Sequence, residues 1–110
     1  MNLENEKFIT GLKILSPATA QVIVIVKKYR KDGIAAIKKD VVEQRYVLRC
    51  SSTDSEAYDC LIACYDELMK NGFIAEIYEN DEKQNIQHVR NWAESMHETA
   101  RYINSDDLLE

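Results

Sequence analysis

The clearest pattern in the sequence is a run of apolar residues near the C-terminus that recur at alternating steps of three and four. These residues are Ile86, Val89, Ala93, Met96, Ala100 and Ile103. The spacing places them on one face of an α-helix, as in the a and d positions of a heptad repeat. It predicts a long final helix with a narrow apolar seam. The pattern leaves open whether this seam packs on the domain itself or on another chain.

Two shorter segments show the alternation that is typical of strands. In residues 45–50 every second side chain is apolar, which places Tyr46 and Arg49 on opposite faces of a predicted strand. Residues 73–79 alternate in the same way, and we expect a second strand there.

A helical stripe separates these two strands. It begins after Thr53, whose hydroxyl and the Glu56 carboxylate fit a capping box, and it runs to about Asn71. Residues 45–79 therefore form a predicted strand–helix–strand unit. The default geometry of such a unit is a right-handed crossover between two parallel strands.

The N-terminal half carries helical patterns as well. Apolar residues at helical spacing predict a short helix over residues 3–15. Ser16-Pro17 is a helix-start signal for a second helix over 18–31. The β-branched run Val22–Val26 would also suit a strand, but the start and stop signals around it favour the helix.

A third N-terminal helix is predicted from Ile34 to about Glu43, which completes an α+β architecture. The sequence thus predicts about five helices with a small sheet formed by the strand–helix–strand unit 45–79. If Val22–Val26 were a strand, the sheet would have three strands. We expect one domain over residues 1–104 and an acidic, frayed tail over 105–110.

Composition narrows the setting of the protein. The chain has 110 residues with three glycines and one proline, so long regular elements are expected. Its longest aliphatic run has five residues, too few to cross a bilayer, and the N-terminus lacks the apolar core of a signal peptide. Three cysteines form an odd set without framework spacing, which predicts free thiols and a cytoplasmic location.

Charge is distributed unevenly along the chain. Residues 1–50 carry a balance of +5 and residues 51–110 a balance of −10, within a net charge of −5. Such a split indicates either a basic binding face beside an acidic body, or two halves that attract each other within the fold.

No catalytic or metal-binding constellation is recognisable. Cys60 and Cys64 are four residues apart on the predicted helix and would share a face, but His88 and His97 point in nearly opposite directions on the last helix. A cysteine nucleophile lacks a neighbouring base, and no glycine-rich loop is present. The sequence therefore predicts a protein that is not an enzyme and that has no metal site and no cofactor.

A basic cluster supports one functional hypothesis, which is a winged-helix-like nucleic-acid-binding regulator that uses the helices of residues 17–44. Its phosphate-contacting cations would be Lys27, Lys28, Arg30, Lys31, Lys38 and Lys39. The low isoelectric point of about 5.1 argues against this function. Cations at a helix C-terminus also have a simpler explanation in the helix dipole.

The hypothesis that we favour from the sequence is a non-enzymatic protein-interaction module, such as a small acidic adaptor, inhibitor or immunity-type protein. It would bind a basic partner protein through Asp59, Asp66 and Glu67, or bind through the seam of the last helix with Trp92 as an anchor. A homodimer through the last helix is the symmetric form of the second option.

Overall fold

A four-stranded antiparallel sheet and four helices make up the described part of the chain. The computed structural model describes residues 9–51 and 54–109, with side chains through residue 98. The elements are β1 (Ile9–Ile14), α1 (Ala20–Lys27), α2 (Ile34–Val42), β2 (Tyr46–Ser51), α3 (Ser55–Lys70), β3 (Ala75–Glu79), β4 (Glu82–Gln84) and α4 (Ile86–Leu109). The α+β class predicted from the sequence is confirmed at this level.

The first element corrects the prediction of a helix over residues 3–15. Residues 9–14 form the strand β1, while residues 1–8 lie outside the described residues. Thr10, Leu12 and Ile14 are fully buried on one face of the sheet, which is the period-two pattern of a strand. Tertiary burial of this alternating set has overridden the local helical spacing.

The sheet topology also differs from the prediction, because β1 lies between the two predicted strands. The strand order is β2-β1-β3-β4, and every neighbouring pair is antiparallel. The strands β2 and β3 run in the same direction, as the crossover rule expects, but they are not neighbours. The predicted two-stranded parallel sheet is therefore wrong.

The helix predicted around Val22–Val26 is confirmed, although its ends differ from the prediction. Thr19 caps α1 by accepting a hydrogen bond from the backbone of Val22, and the helix ends at Lys27. Ser16 instead accepts a hydrogen bond from the backbone of Ile74, 2.8 Å away, and so joins the end of β1 to the start of β3.

A tight hairpin turn joins β3 to β4 after residue 79. Asn80 and Asp81 both have positive φ angles, of 51° and 68°, which is the backbone pattern of a tight hairpin turn. Asn85 then caps α4 by accepting a hydrogen bond from the backbone of Gln87 at 2.6 Å. The proposed capping box at Thr53 lies outside the described residues, and Asp54 caps α3.

The hydrophobic core lies between the helices and one face of the sheet. Strand residues such as Leu12 and Ile77 pack there with Val22, Tyr58 and Val89 from the helices. The opposite face of the sheet carries longer polar and aromatic side chains. We call it the open sheet face and define it by Gly11, Lys13, Tyr46, Arg49, Glu76, Tyr78 and Lys83, which the strand register places side by side.

Candidate interaction surfaces

The apolar seam of α4 packs on the core as far as its side chains are described. Val89 is fully buried and Ala93 nearly so, while Ile86 and Met96 are half-buried against the core. The first half of the seam thus packs on the domain itself, and these positions are not a free surface. Ala100 and Ile103 lie further along α4, beyond the described side chains.

The helices α3 and α4 run antiparallel and are joined by one ion pair and one histidine–carboxylate contact. Arg90 forms a two-pronged ion pair with Asp66, and one of its hydrogen bonds measures 3.0 Å. About two helical turns further along α4, the imidazole Nε2 of His97 lies 3.0 Å from Asp59. Two of the acids predicted to bind a basic partner therefore have partners within the chain.

The third predicted acid, Glu67, is also engaged. Its carboxylate accepts hydrogen bonds from the Lys28 ammonium and from the Tyr29 hydroxyl, the latter at 2.8 Å. The hydrogen bond from Lys28 lowers the pKa of Glu67, and the hydrogen bond to Glu67 raises the pKa of Tyr29 to about 12. This group ties α1 to α3.

Charge compensation occurs mostly within each half of the chain. Of the eight ion pairs found among the described side chains, only Lys28–Glu67 joins residues 1–50 to residues 51–110. Mutual attraction of the two halves therefore rests on this contact and does not explain the whole charge asymmetry.

The six cations of the nucleic-acid hypothesis do not form one free surface. Arg30 is half-buried and binds Asp32, Asp40 and the backbone carbonyl of Val47. With Lys28 also paired, four remain exposed without an ion pair in the described chain, namely Lys27, Lys31, Lys38 and Lys39. The strand β2, which would serve as the wing, pairs with β1, and β1 precedes both helices.

A chain of polar side chains leads from the buried Thr10 and Tyr58 to the exposed His88 on α4. The hydroxyls of Thr10 and Tyr58 lie 2.6 Å apart, and both residues are fully buried. Tyr58 also approaches Glu79 at 3.5 Å, and Glu79 lies 3.3 Å from His88. Burial raises the pKa of Tyr58 to about 12, so this chain joins structural elements and holds a neutral phenol.

The cysteines occupy contrasting environments. Cys50 and Cys64 are buried, and burial raises the pKa of each thiol to about 12, which suppresses the thiolate. Cys60 is exposed, although it lies four residues from Cys64 on α3. A search of the described residues finds no group of three or more histidine, cysteine, aspartate or glutamate side chains placed to hold a metal ion.

The open sheet face carries an aromatic and basic arrangement that the sequence did not predict. The rings of Tyr46 and Tyr78 lie 5.9 Å apart between centroids, tilted by 44°, and the Lys13 ammonium lies 4.5 Å from the Tyr78 ring. A cleft of about 350 Å³ borders this face at the end of α2. It is lined by Lys13, Asp40, Gln44, Arg45, Tyr46, Arg49 and Asp81.

Sequence reasoning missed this face because of a bulge in β2. The register between β1 and β2 shifts at Leu12/Lys13, so Val47 is an extra residue and the side-chain alternation inverts there. Tyr46 and Arg49 consequently share a face. The sequence signals for the site were the alternation of Gly11 and Lys13 with buried residues in β1 and the predicted alternation of β3, which places Glu76 and Tyr78 on one face.

Comparisons with known proteins identify no relative of this chain. No family model, no curated protein and no solved structure matches this chain. Among the described residues, none of the helices has the length and apolar character needed to span a membrane.

Proposed function

We propose that this protein is a non-enzymatic protein-interaction module that binds a partner protein through the C-terminal part of α4. The observation that carries this proposal is the length of α4 relative to the helix beside it. His97 of α4 lies opposite Asp59, which is only four residues from the start of α3 at Ser55. Because the helices are antiparallel, α4 passes the end of α3 near residue 101.

The remaining part of α4 projects beyond its neighbour. At 1.5 Å per residue, the eight residues from there to Leu109 extend about 12 Å further. The apolar seam continues into this segment at Ala100 and Ile103. A seam whose first half packs on the domain and whose second half outruns α3 suits a helix shared between two chains.

Trp92 supports the same location for the partner. It lies beside the seam on α4, and 43% of its surface is exposed, which is unusual for so large an apolar side chain. Tryptophan is enriched among residues that dominate binding energy at protein interfaces. It is therefore the anchor that we assign next to the seam.

This proposal moves the acidic binding site that was predicted from the sequence to another part of the chain. Asp59, Asp66 and Glu67 hold the helices of the protein together, so we no longer assign them to the partner. Residues 104–110 carry three carboxylates and no cation. A basic partner, or a second copy whose cations meet this segment, fits that charge.

Charge introduced into the seam tests the proposal. We expect Ile103→Glu to abolish capture of the partner by the tagged protein from its native cell extract, or to convert a dimer into a monomer of 12.7 kDa in solution-mass measurements. The matched control is Ser105→Glu, which introduces the same charge about 200° around the helix. Equal binding by both variants would remove α4 as the interface.

The nucleic-acid alternative on α1 and α2 keeps only four of its six cations as free side chains. We retain it as the second hypothesis for the basic surface. The variant Lys38→Gln/Lys39→Gln tests it directly in an oligonucleotide-binding measurement.

A further inference from the structure

The open sheet face presents two tyrosine rings in fixed orientations. The Tyr46 hydroxyl donates a hydrogen bond to Asp81 at 2.6 Å, and the Tyr78 hydroxyl donates one to Glu76 at 2.8 Å. A Cβ at Gly11 would lie only 2.6–2.8 Å from three carbons of the Tyr46 ring. The ring therefore lies flat against the backbone of β1, which turns its other side away from the sheet.

Two cations beside these rings are not held in a direct ion pair, although Lys13 lies opposite Glu76 in the register of β1 and β3. Lys13 and Arg49 form no ion pair with any described residue, and Arg49 is exposed. The Lys13 ammonium lies within 5.4 Å of the Tyr46 ring centroid as well as near Tyr78. A cation and an aromatic surface therefore occur together at the centre of the sheet.

The nearby carboxylates are each neutralised or engaged by their own partners. Asp40 binds Arg30, Glu76 binds Lys83 at 2.9 Å, and Asp81 accepts the Tyr46 hydroxyl. The Tyr46 hydroxyl is neutral and leaves the Asp81 charge in place, so the cations Lys13 and Arg49 outnumber the carboxylates without an ion pair here by one, although the whole chain carries −5. An anionic ligand is complementary to this positive excess.

We propose that the open sheet face binds single-stranded nucleic acid, with bases stacked on Tyr46 and Tyr78 and phosphates at Lys13 and Arg49. Fixed aromatic rings next to free cations are what such binding requires, because every base has a flat face and every linkage carries a negative charge. A duplex keeps its bases stacked on one another and offers only the phosphates. This site is separate from α4 and does not depend on the function proposed for that helix.

Fluorescence anisotropy with a labelled twelve-nucleotide oligo(dT) tests the proposal. We expect saturable binding at 50 mM NaCl that weakens steeply by 200 mM, because each neutralised phosphate releases counterions. The double variant Lys13→Gln/Arg49→Gln should lower the slope of log K against log salt by about 1.4, which corresponds to two phosphate contacts on a single strand. The matched control Lys38→Gln/Lys39→Gln removes the same charge from α2 and should leave the slope unchanged.

The stacking contribution is tested at Tyr78. Tyr78→Leu should weaken binding by about fivefold or more, whereas Tyr78→Phe keeps the ring and should bind within about twofold of the parent. Circular dichroism of every variant establishes that it is folded. If Tyr78→Leu does not fold, the salt slope of the double cation variant against that of its Lys38→Gln/Lys39→Gln control still tests the site.

Four results would overturn the proposal. They are an absence of binding at 50 mM NaCl, an equal loss in the Lys38/Lys39 control, equal affinity for duplex DNA, and equally effective competition by poly-glutamate. The second would assign binding to the basic helices, and the last would assign the face to an acidic protein segment. The α4 variant Ile103→Glu should bind the oligonucleotide normally, so failure here is distinct from failure of the interface on α4.

Discussion

Tyr58 is the residue on which the polar interior depends. Its hydroxyl is fully buried and is the partner of the Thr10 hydroxyl at 2.6 Å. A buried polar group that loses its partner retains its desolvation cost, whereas removal of both partners is nearly neutral. Removal of one hydroxyl of the Thr10–Tyr58 pair should therefore cost more stability than removal of both.

This reasoning gives a prediction for a double-mutant cycle. We expect Tyr58→Phe to lower the free energy of unfolding by about 1–3 kcal/mol, because Thr10 is left unpaired. The double variant Thr10→Val/Tyr58→Phe should lose less than the single variant. Urea unfolding followed by circular dichroism measures both. Additive losses would show that the two hydroxyls do not depend on each other.

At the scale of elements, β1 shows where sequence reasoning reaches its limit. Phe8, Ile9, Leu12 and Leu15 have helical spacing, yet the same segment alternates through Thr10, Leu12 and Ile14. Both periods are present, and only the pairing of β1 with two partner strands selects the second. That pairing is non-local, since β3 lies more than sixty residues away along the chain.

Other elements were predictable because their local and tertiary preferences agree. The helix α3 has a cap, an apolar stripe and a glycine past its end, and it forms over Ser55–Lys70. The strand β3 alternates as expected. The open sheet face could not be assembled from the sequence, because it requires the position of β1 and the bulge that places Tyr46 beside Arg49.

The close approach of Gly11 to Tyr46 leads to a prediction for the sheet. Gly11→Ala should lower the free energy of unfolding by about 1–3 kcal/mol, because the added methyl group must displace a ring that Asp81 also holds. Gly33→Ala is the matched control, since nothing lies within 4 Å of its Cβ position. Thermal unfolding of both variants compares them. An equal effect at the two glycines would contradict the close packing at Gly11.

For the whole molecule, the charge asymmetry of the sequence has a more local explanation than either original alternative. The ion pairs among the described residues join neighbours within one half of the chain, except for Lys28–Glu67, which joins the two halves. Among the described residues, cations outside these ion pairs lie on the open sheet face and on α2. The net charge of the chain therefore does not predict the sign of the charge on any one surface. For this reason the low isoelectric point does not exclude a local basic site for nucleic acid.

The buried thiols and phenol make the stability of the whole molecule sensitive to alkali. Burial raises the pKa of Cys50, Cys64 and Tyr58 to about 12 in the folded protein, from values of 9.0 for the thiols and 10.0 for the phenol. Each group is neutral when folded and ionises first in the unfolded chain. Their contribution to stability is therefore complete below about pH 9 and is lost progressively as the pH rises towards 12.

Urea unfolding in the presence of a reductant should show this loss directly. Each group lowers the free energy of unfolding by at most about 1.4 kcal/mol per pH unit between its unfolded and folded pKa values. We expect Cys64→Ala to reduce the slope of stability against pH above pH 9, whatever it does to the stability at pH 7. A slope that is the same in Cys64→Ala as in the parent protein would mean that ionisation of the Cys64 thiol is not coupled to unfolding.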